Sequence, residues 1–399
     1  LKLNFKKIKS VKILNMKENR VHQRCIAAGL KYICNNGNFD HVIIDGFTLT
    51  NGYGKGVDFE YFISVAADPD MFNDMMHNHI KSGGLSVINS SVTLSNLIIH
   101  NNHSMNVAGG IGLVNSNATL NNILIENNHV EDVNGLGGGG IAINGGITEI
   151  NNCIIRDNTV GLNMYQLNGG GGILCGFDYN EYTMQLKVNH SKIYNNISNI
   201  GAGIGALSGD ITLNHNLIYQ NIGDYGSAIS LGEPLGLVID DINMLIINST
   251  ITNNHGTLSL GMIDNSTLTI ANSILWNNGD LEIAPLPNNS LINTNIFYSD
   301  IRLLDDLENE SSISSDPLFL DTSENNYQLS SNSPCIDAGT DYLEFNSDLI
   351  IDIDSSGYNG IMPDIGYFEF ENDILYGDIN LDSIINVLDI VILINFILG

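Results

Sequence analysis

Basic side chains are what this sequence has least of. Fifteen Lys and Arg stand against 44 Asp and Glu, a formal net charge of −29 at pH 7. Nucleic acids and anionic membranes would be repelled, so neither is expected as a partner. A polyanionic polysaccharide would be repelled too unless calcium bridged it. The imbalance sharpens toward the C-terminus, where Arg302 is the single basic residue after Asp300. Long apolar runs are also missing. The longest, Val387 to Leu398, is too short and interrupted to span a membrane. Cysteine is sparse: Cys25, Cys34, Cys153, Cys175 and Cys335 are odd in number and follow no metal or disulfide spacing. Cys153 reads as a buried thiol, and pairing of Cys25 with Cys34 stays open. The chain begins with Leu and starts mid-pattern, so a processed piece of a longer protein is expected.

What is abundant is repetition. A nine-residue phrase reads LSNLIIHNN from Leu94, LNNILIENN from Leu120 and INNCIIRDN from Ile150. It continues as VNHSKIYNN from Val188, LNHNLIYQN from Leu213, IINSTITNN from Ile246 and IANSILWNN from Ile270. Weaker copies sit at Ile44 (IDGFTLTNG) and Ile292 (INTNIFYSD). Steps of 26, 30, 38, 25, 33, 24 and 22 residues separate the starts from Leu94 onward. Repeats at that interval signal a stacked solenoid. The first and sixth positions are apolar, the runs are short and rich in β-branched residues, and both facts predict strands. The phrase closes on Asn or Gly, residues that tolerate the left-handed backbone of a corner.

A second beat, Gly-Gly before an apolar residue, falls at Gly83, Gly109, Gly139 and Gly171 and degenerates at Gly201 and Gly226. One coil is therefore a glycine corner, a strand, a turn, a second strand and an Asn corner. Successive coils are expected to pair as parallel strands about 4.8 Å apart. The third position (Asn96, Asn122, Asn152, His190, His215, Asn248, Asn272) and the ninth are expected to form ladders of like side chains along the stack.

The Gly-Gly-Ile and Asn-x-x-Ile-x-x-Asn beats resemble right-handed parallel β-helix proteins of the pectin-lyase-like class, in particular those with polymorphic outer-membrane-protein repeats. The tail from Ser315 to Asp341 and the stretch Pro363 to Phe370 resemble the segment that closes such helices in secreted bacterial proteins. The resemblance implies an all-β parallel β-helix and an extracellular or cell-surface setting. It implies little about activity, because the class includes lyases, hydrolases, adhesins and plain scaffolds. The expected organisation is a lead-in over 1–38, β-helix repeats over 39–300, a closing segment over 301–373 and a short module over 374–399.

That last module carries the sharpest site. Asp378, Asn380, Asp382, Ile384, Asn386 and Asp389 occupy positions 1, 3, 5, 7, 9 and 12 of a twelve-residue loop. A hard cation needs six or seven oxygens around one point, and this EF-hand-like spacing supplies them, with a main-chain carbonyl at Ile384. Calcium is the expected cofactor. Ser383 stands where glycine ordinarily makes the sharp turn, which weakens the site. The loop and the apolar run after it resemble the first repeat of a type I dockerin. That resemblance implies a cohesin-like partner, although only one repeat is present.

Catalytic signals are thin. The arginines are Arg20, Arg24, Arg156 and Arg302, so lyase chemistry of the pectate type, with an essential Arg, is poorly supported. The largest interruption of the repeat, Tyr53 to Ser82, holds Asp58, Glu60, Tyr61, Phe62, Asp74 and His77. Aromatic rings and acids together suit a sugar, and a solvated excursion explains the same residues. Shorter excursions at 177–185 and 232–241 could wall the same groove. His103, His129 and His255, which follow the Asn pair, read as exposed corner residues. Asp348, Asp352 and Asp354 are candidates for a second calcium site. Two functions are expected from these residues: a monomeric polysaccharide-binding or adhesive scaffold, or a polysaccharide-degrading lyase or glycoside hydrolase.

Overall fold

The computed structural model describes residues 42–54, 82–131, 137–161, 169–176, 184–232, 241–256, 258–262, 266–285, 293–304, 309–371 and 387–398. They fall into two compact units, one up to Asp316 together with Ile365–Tyr367, the other comprising Pro317–Asp364 and the residues from Phe368 onward.

The first unit is a parallel β-helix. Its strands form sheets of ten, nine, four and eight strands whose neighbours come from successive coils. One coil shows the plan. Leu85–Ile88 joins the eight-stranded sheet, Ser91–Ser95 the ten-stranded, Ile98–His100 the nine-stranded and His103–Ser104 the four-stranded. Each pairs in parallel with its counterpart one coil on, as in Leu94↔Leu120 and Ile99↔Ile125. Side chains alternate along each strand, and the corner at the third position, between the two strands, lets the first and sixth positions both point inward. Leu94, Leu120, Ile150, Ile99, Ile125 and Ile155 are fully buried in one continuous core. A one-residue slip would turn every one of these outward, which fixes the register.

The register corrects one copy of the repeat. Ile296, not Ile292, lies opposite Ile270. The phrase therefore starts four residues later, as IFYSDIRLL, and its inward sixth residue is the buried Ile301. Polar Asn293 and Asn295 had disguised that start.

Two left-handed residues make the corners of each phrase, at the third and eighth positions. Asn96 and Asn101 have φ of 52° and 53°, and the pattern continues through Asn122 and Asn127, Asn152 and Asp157, His190 and Asn195. Asn adopts this region at least cost among non-glycine residues. The ladder expected at the third position is confined to later coils, where buried Asn272 Nδ2 donates to buried Asn248 Oδ1. Asn96, Asn122, Asn152 and His190 are exposed corner residues.

The ninth position does form a ladder. Asn102, Asn128, Asn158, Asn196, Asn221, Asn254 and Asn278 are all buried. Each Nδ2 donates forward to the next Oδ1, at 2.8 to 3.0 Å. Each also donates back to the sixth-position carbonyl of the preceding coil, as Asn128 does to Ile99. Each Oδ1 in turn accepts the backbone N–H of the preceding Asn. Every amide is thus satisfied without water, which is what permits its burial. A ladder of this polarity needs a final acceptor, and Glu282 supplies it. Its carboxylate takes both the N–H and the Nδ2 of Asn278 and is held by Arg302 Nε at 2.8 Å.

A second ladder runs at the fourth position and escaped the sequence reading because its residues differ. Cys153, Ser191, Asn216, Ser249, Ser273 and Ser299 each sit one coil apart, and each backbone N–H donates to the next side chain. The glycine beat has a steric cause. A Cβ at Gly110 would lie 2.5 Å from the Gly140 carbonyl of the next coil.

The second unit is antiparallel. Phe319–Asp321 pairs with Asn326–Leu329, and Tyr342–Phe345 with Asp348–Asp352. Carboxylates knit its loops. Asp364 accepts the N–H groups of Asp337 and Phe370, Asp337 accepts those of Ile361 and Met362, and Glu369 accepts those of Asn359 and Asp364. Burial holds the Asp364 and Glu369 carboxyls above their ordinary range. The helix Val387–Leu398 also belongs to this unit.

Candidate functional site

The outward face of the nine-stranded sheet is built from the fifth and seventh positions of the phrase, the two neighbours of the inward sixth. The fifth positions make an apolar ridge of Ile98, Leu124 and Ile154, ending at Lys192. Ile98 and Ile154 are exposed by 41% and 37%. The seventh positions make a polar row of His100, Glu126, Arg156 and Tyr194, all half-buried. The parallel pairing of Ile98–His100, Leu124–Glu126, Ile154–Arg156 and Lys192–Tyr194 puts ridge and row side by side, one pair per coil.

The row is preorganised. The Arg156 guanidinium bonds Glu126, stands 3.7 Å from Asp157 and lies 5.8 Å from the Tyr194 ring centroid. Burial opposes its charge, but Tyr194, Glu126 and Asp157 outweigh burial and hold it above the usual guanidinium range. Tyr194 stacks on Tyr219 with centroids 4.6 Å apart and planes within 13°. His100 is fixed by a 2.8 Å contact between its Nδ1 and Asn101 Nδ2.

Beyond Tyr194 the face is closed by the strap Ile365–Tyr367. Gly366 N–H donates to Asn272 O and Tyr367 N–H to Thr250 Oγ1, both at 2.9 Å. Thr250 and Ile274, which occupy the ridge position there, are buried under it. Gly366 is required, since at φ +115° a Cβ would stand 2.8 Å from Ile274 and Thr250. The open stretch is thus the four coils from Ile98 to Tyr194, with the strap as its end wall.

Around the eighth-position corner lies the four-stranded sheet, which adds a cluster. Glu131 Oε1 accepts the Tyr53 hydroxyl at 2.9 Å and meets His103 Nε2 at 3.1 Å. His103 packs between the Tyr53 ring and an edge-on His129, and His129 Nδ1 contacts Thr159 Oγ1 at 2.6 Å. Bonding to Glu131 pushes the Tyr53 hydroxyl up, so it stays a proton donor. His103 and His129 are therefore packed members of a cluster rather than loose corner residues. Strands of this sheet lead directly into residues 55–81, 132–136 and 162–168.

Most of the site residues expected from the sequence are not among the described ones. Asp58, Glu60, Tyr61, Phe62, Asp74 and His77 lie outside the described residues, as do Asp378, Asn380, Asp382, Ile384 and Asn386. Of the calcium loop only Asp389 is described, buried in the first turn of the helix Val387–Leu398. Among the described residues no three His, Cys, Asp or Glu side chains converge, and Asp348, Asp352 and Asp354 make no such cluster. Cys153 and Cys175 are buried thiols, pushed up by burial to about 11 and about 12. Reading down the seventh column, rather than along each phrase, would have exposed the polar row.

No family model matches the chain, and no curated protein does. Among solved structures it is similar to the pectate lyase Pel9A, at 14% identity and a TM-score of 0.43, over 84% of this chain and 73% of that one. The β-helix assignment rests on the strand pairing itself. Among the described residues no helix is long and apolar enough to cross a membrane.

Proposed function

We propose that this protein binds a polysaccharide across the open face of the nine-stranded sheet, as a secreted or surface-displayed adhesive scaffold. The observation that carries this reading is the apolar ridge Ile98, Leu124, Ile154 beside the polar row His100, Glu126, Arg156, Tyr194. Sugars present apolar C–H faces and hydroxyl edges, and the two lines offer a partner for each. Arg156 is already paired with Glu126 and Asp157, so the row supplies hydrogen bonds more than net positive charge. That favours neutral glycans, or acidic ones only where calcium bridges them.

The C-terminal loop from Asp378 to Asp389 then serves as a calcium-dependent docking element, with a cohesin-like protein as its partner. Its ligand spacing supports this part of the reading. Calcium titration of the wild type against Asp378→Ala and Asp389→Ala tests it. Three superimposable isotherms would rule the loop out as a calcium site.

A second reading is favoured by the Tyr53–Glu131–His103 cluster, in which titratable groups from three coils meet at one carboxylate oxygen. Such a grouping suits proton transfer in a polysaccharide-degrading enzyme, a lyase or glycoside hydrolase. One experiment separates the readings. The protein is incubated with neutral and acidic polysaccharides, with and without calcium. Binding without new reducing ends or unsaturated products supports the scaffold; products lost in Glu131→Gln support the enzyme.

A further inference from the structure

On the corner between the ten- and nine-stranded sheets, two histidines replace the asparagine of the third position in consecutive coils. His190 and His215 are stacked, with ring centroids 4.8 Å apart and planes within 21°. Both hold the left-handed backbone, at φ 49° and 51°, and their coils are joined by the bond from His190 N–H to Asn214 O. This corner is far along the phrase from the Tyr53–Glu131 cluster, and the proposed glycan face does not use these rings.

The His215 tautomer follows from the bonding around it. Asn272 Nδ2 donates to Asn248 Oδ1, and Asn248 Nδ2 donates to Asn214 Oδ1. That amide chain sets Asn214 Oδ1 as an acceptor, and His215 Nδ1 lies 2.9 Å from it. Nδ1 must therefore carry the proton and donate. The lone pair is left on Nε2, the arrangement in which an oxygen bonded to the other ring nitrogen prepares an imidazole for a metal. His190, on the adjacent coil, is exposed.

We propose that His190 and His215 form a two-histidine site for a late first-row divalent cation, Cu2+, Ni2+ or Zn2+, with solvent filling the remaining positions. Imidazole nitrogen suits these ions and not calcium or magnesium. The stacked rings are close to parallel, so binding requires the exposed His190 ring to turn out of the stack until both Nε2 atoms stand about 2.0–2.1 Å from the ion. The site is independent of the calcium loop, whose ligands are oxygens.

The test uses the full chain with calcium present. Cu2+ is added to one equivalent and followed by electron paramagnetic resonance, and Zn2+ binding is followed by calorimetry. The variants are His190→Asn and His215→Asn. Each installs the residue that other coils carry at this corner and that keeps its left-handed backbone (Asn122, Asn152). The expected result is coupling of Cu2+ to two imidazole nitrogens in the wild type. Each variant should lose one coupling and bind both ions at least about tenfold more weakly. Identical spectra and isotherms in all three proteins would overturn the proposal, as would absence of bound Cu2+ at one equivalent. Either result would leave the pair as a stacking contact alone.

Discussion

Adjacent asparagines at the eighth and ninth positions give a sharp test of what holds the coils together. Asn196 is fully buried and its side chain makes four hydrogen bonds: to Ile155 O and Asn221 Oδ1 as donor, and from Asn158 N and Asn158 Nδ2 as acceptor. Asn196→Ala removes all four. Asn158 Nδ2 keeps Ile125 O, and Asn221 Oδ1 keeps the Asn196 N–H. The Asn158 N–H and the Ile155 carbonyl lose these bonds in a dry interior. A net hydrogen bond is worth about 1 kcal/mol, and each orphaned buried group costs about 1–3 kcal/mol. The expected loss is about 3–5 kcal/mol. Asn195, one residue earlier, sits at φ 54° on a partly exposed corner with a single 3.3 Å bond to Asp157. Asn195→Gly removes its side chain and keeps the left-handed backbone without penalty, so it should cost under about 1 kcal/mol. Urea unfolding monitored by far-ultraviolet circular dichroism measures both. Stacked repeats can lose cooperativity, so the midpoints are compared only if the slopes match. Two variants equal within about 0.5 kcal/mol would refute the ladder as a principal source of stability.

Protonation should matter at His215. Its folded-state value of about 4 lies below the ordinary 6.5, so between those values the unfolded chain binds the extra proton. Stability then falls as pH drops from 6.5 toward 4, by up to about 1.4 kcal/mol per unit. His215→Asn should remove that share of the slope in denaturation curves taken across the window; an unchanged slope contradicts the assignment. Glu282 ends the ladder beside Arg302, with side-chain exposures of 2% and 27%. Breaking a largely buried pair costs about 3 kcal/mol, so Glu282→Gln and Arg302→Met should each lower the unfolding midpoint. The double variant should fall short of their sum by about 1–2 kcal/mol, and strict additivity would show that the two do not act together. Gly110→Ala should destabilise by more than the same change at Gly46, whose position at φ +74° has open space for a Cβ but unfavourable backbone.

The β-helix was legible because its signal repeats. Inward positions must be apolar in every coil, and Ile99, Ile125, Ile155 and Ile193 announce the sixth position without alignment to anything else. The Asn ladder was half legible. Third and ninth positions are both Asn-rich, and only the backbone distinguishes them: Asn122 needs a left-handed corner, whereas the Asn128 side chain makes four buried bonds. The fourth-position ladder was hidden because Cys153, Ser191 and Asn216 meet the same acceptor requirement with different chemistry. The candidate face was hidden for a related reason. Arg156, Glu126 and Tyr194 come from three separate phrases, 30 and 38 residues apart, and only the register of the nine-stranded sheet makes them neighbours. Glu131 falls outside the phrase, and nothing in its local sequence marks it as the acceptor of the Tyr53 hydroxyl beside His103.

The central functional claim is that the open face between Ile98 and Tyr194 takes up a polysaccharide. Its most direct test is the binding isotherm of one glycan that the wild type retains, repeated with Arg156→Ala and Tyr194→Ala and with Lys187→Ala. Lys187 is exposed on the ten-stranded sheet, away from the ridge and row. Folding of each variant is checked by its circular dichroism and melting point. The account predicts that Arg156→Ala and Tyr194→Ala each weaken binding at least about tenfold, or 1.4 kcal/mol, while Lys187→Ala binds as the wild type does. Equal affinity in all four proteins would place the glycan elsewhere and contradict the claim.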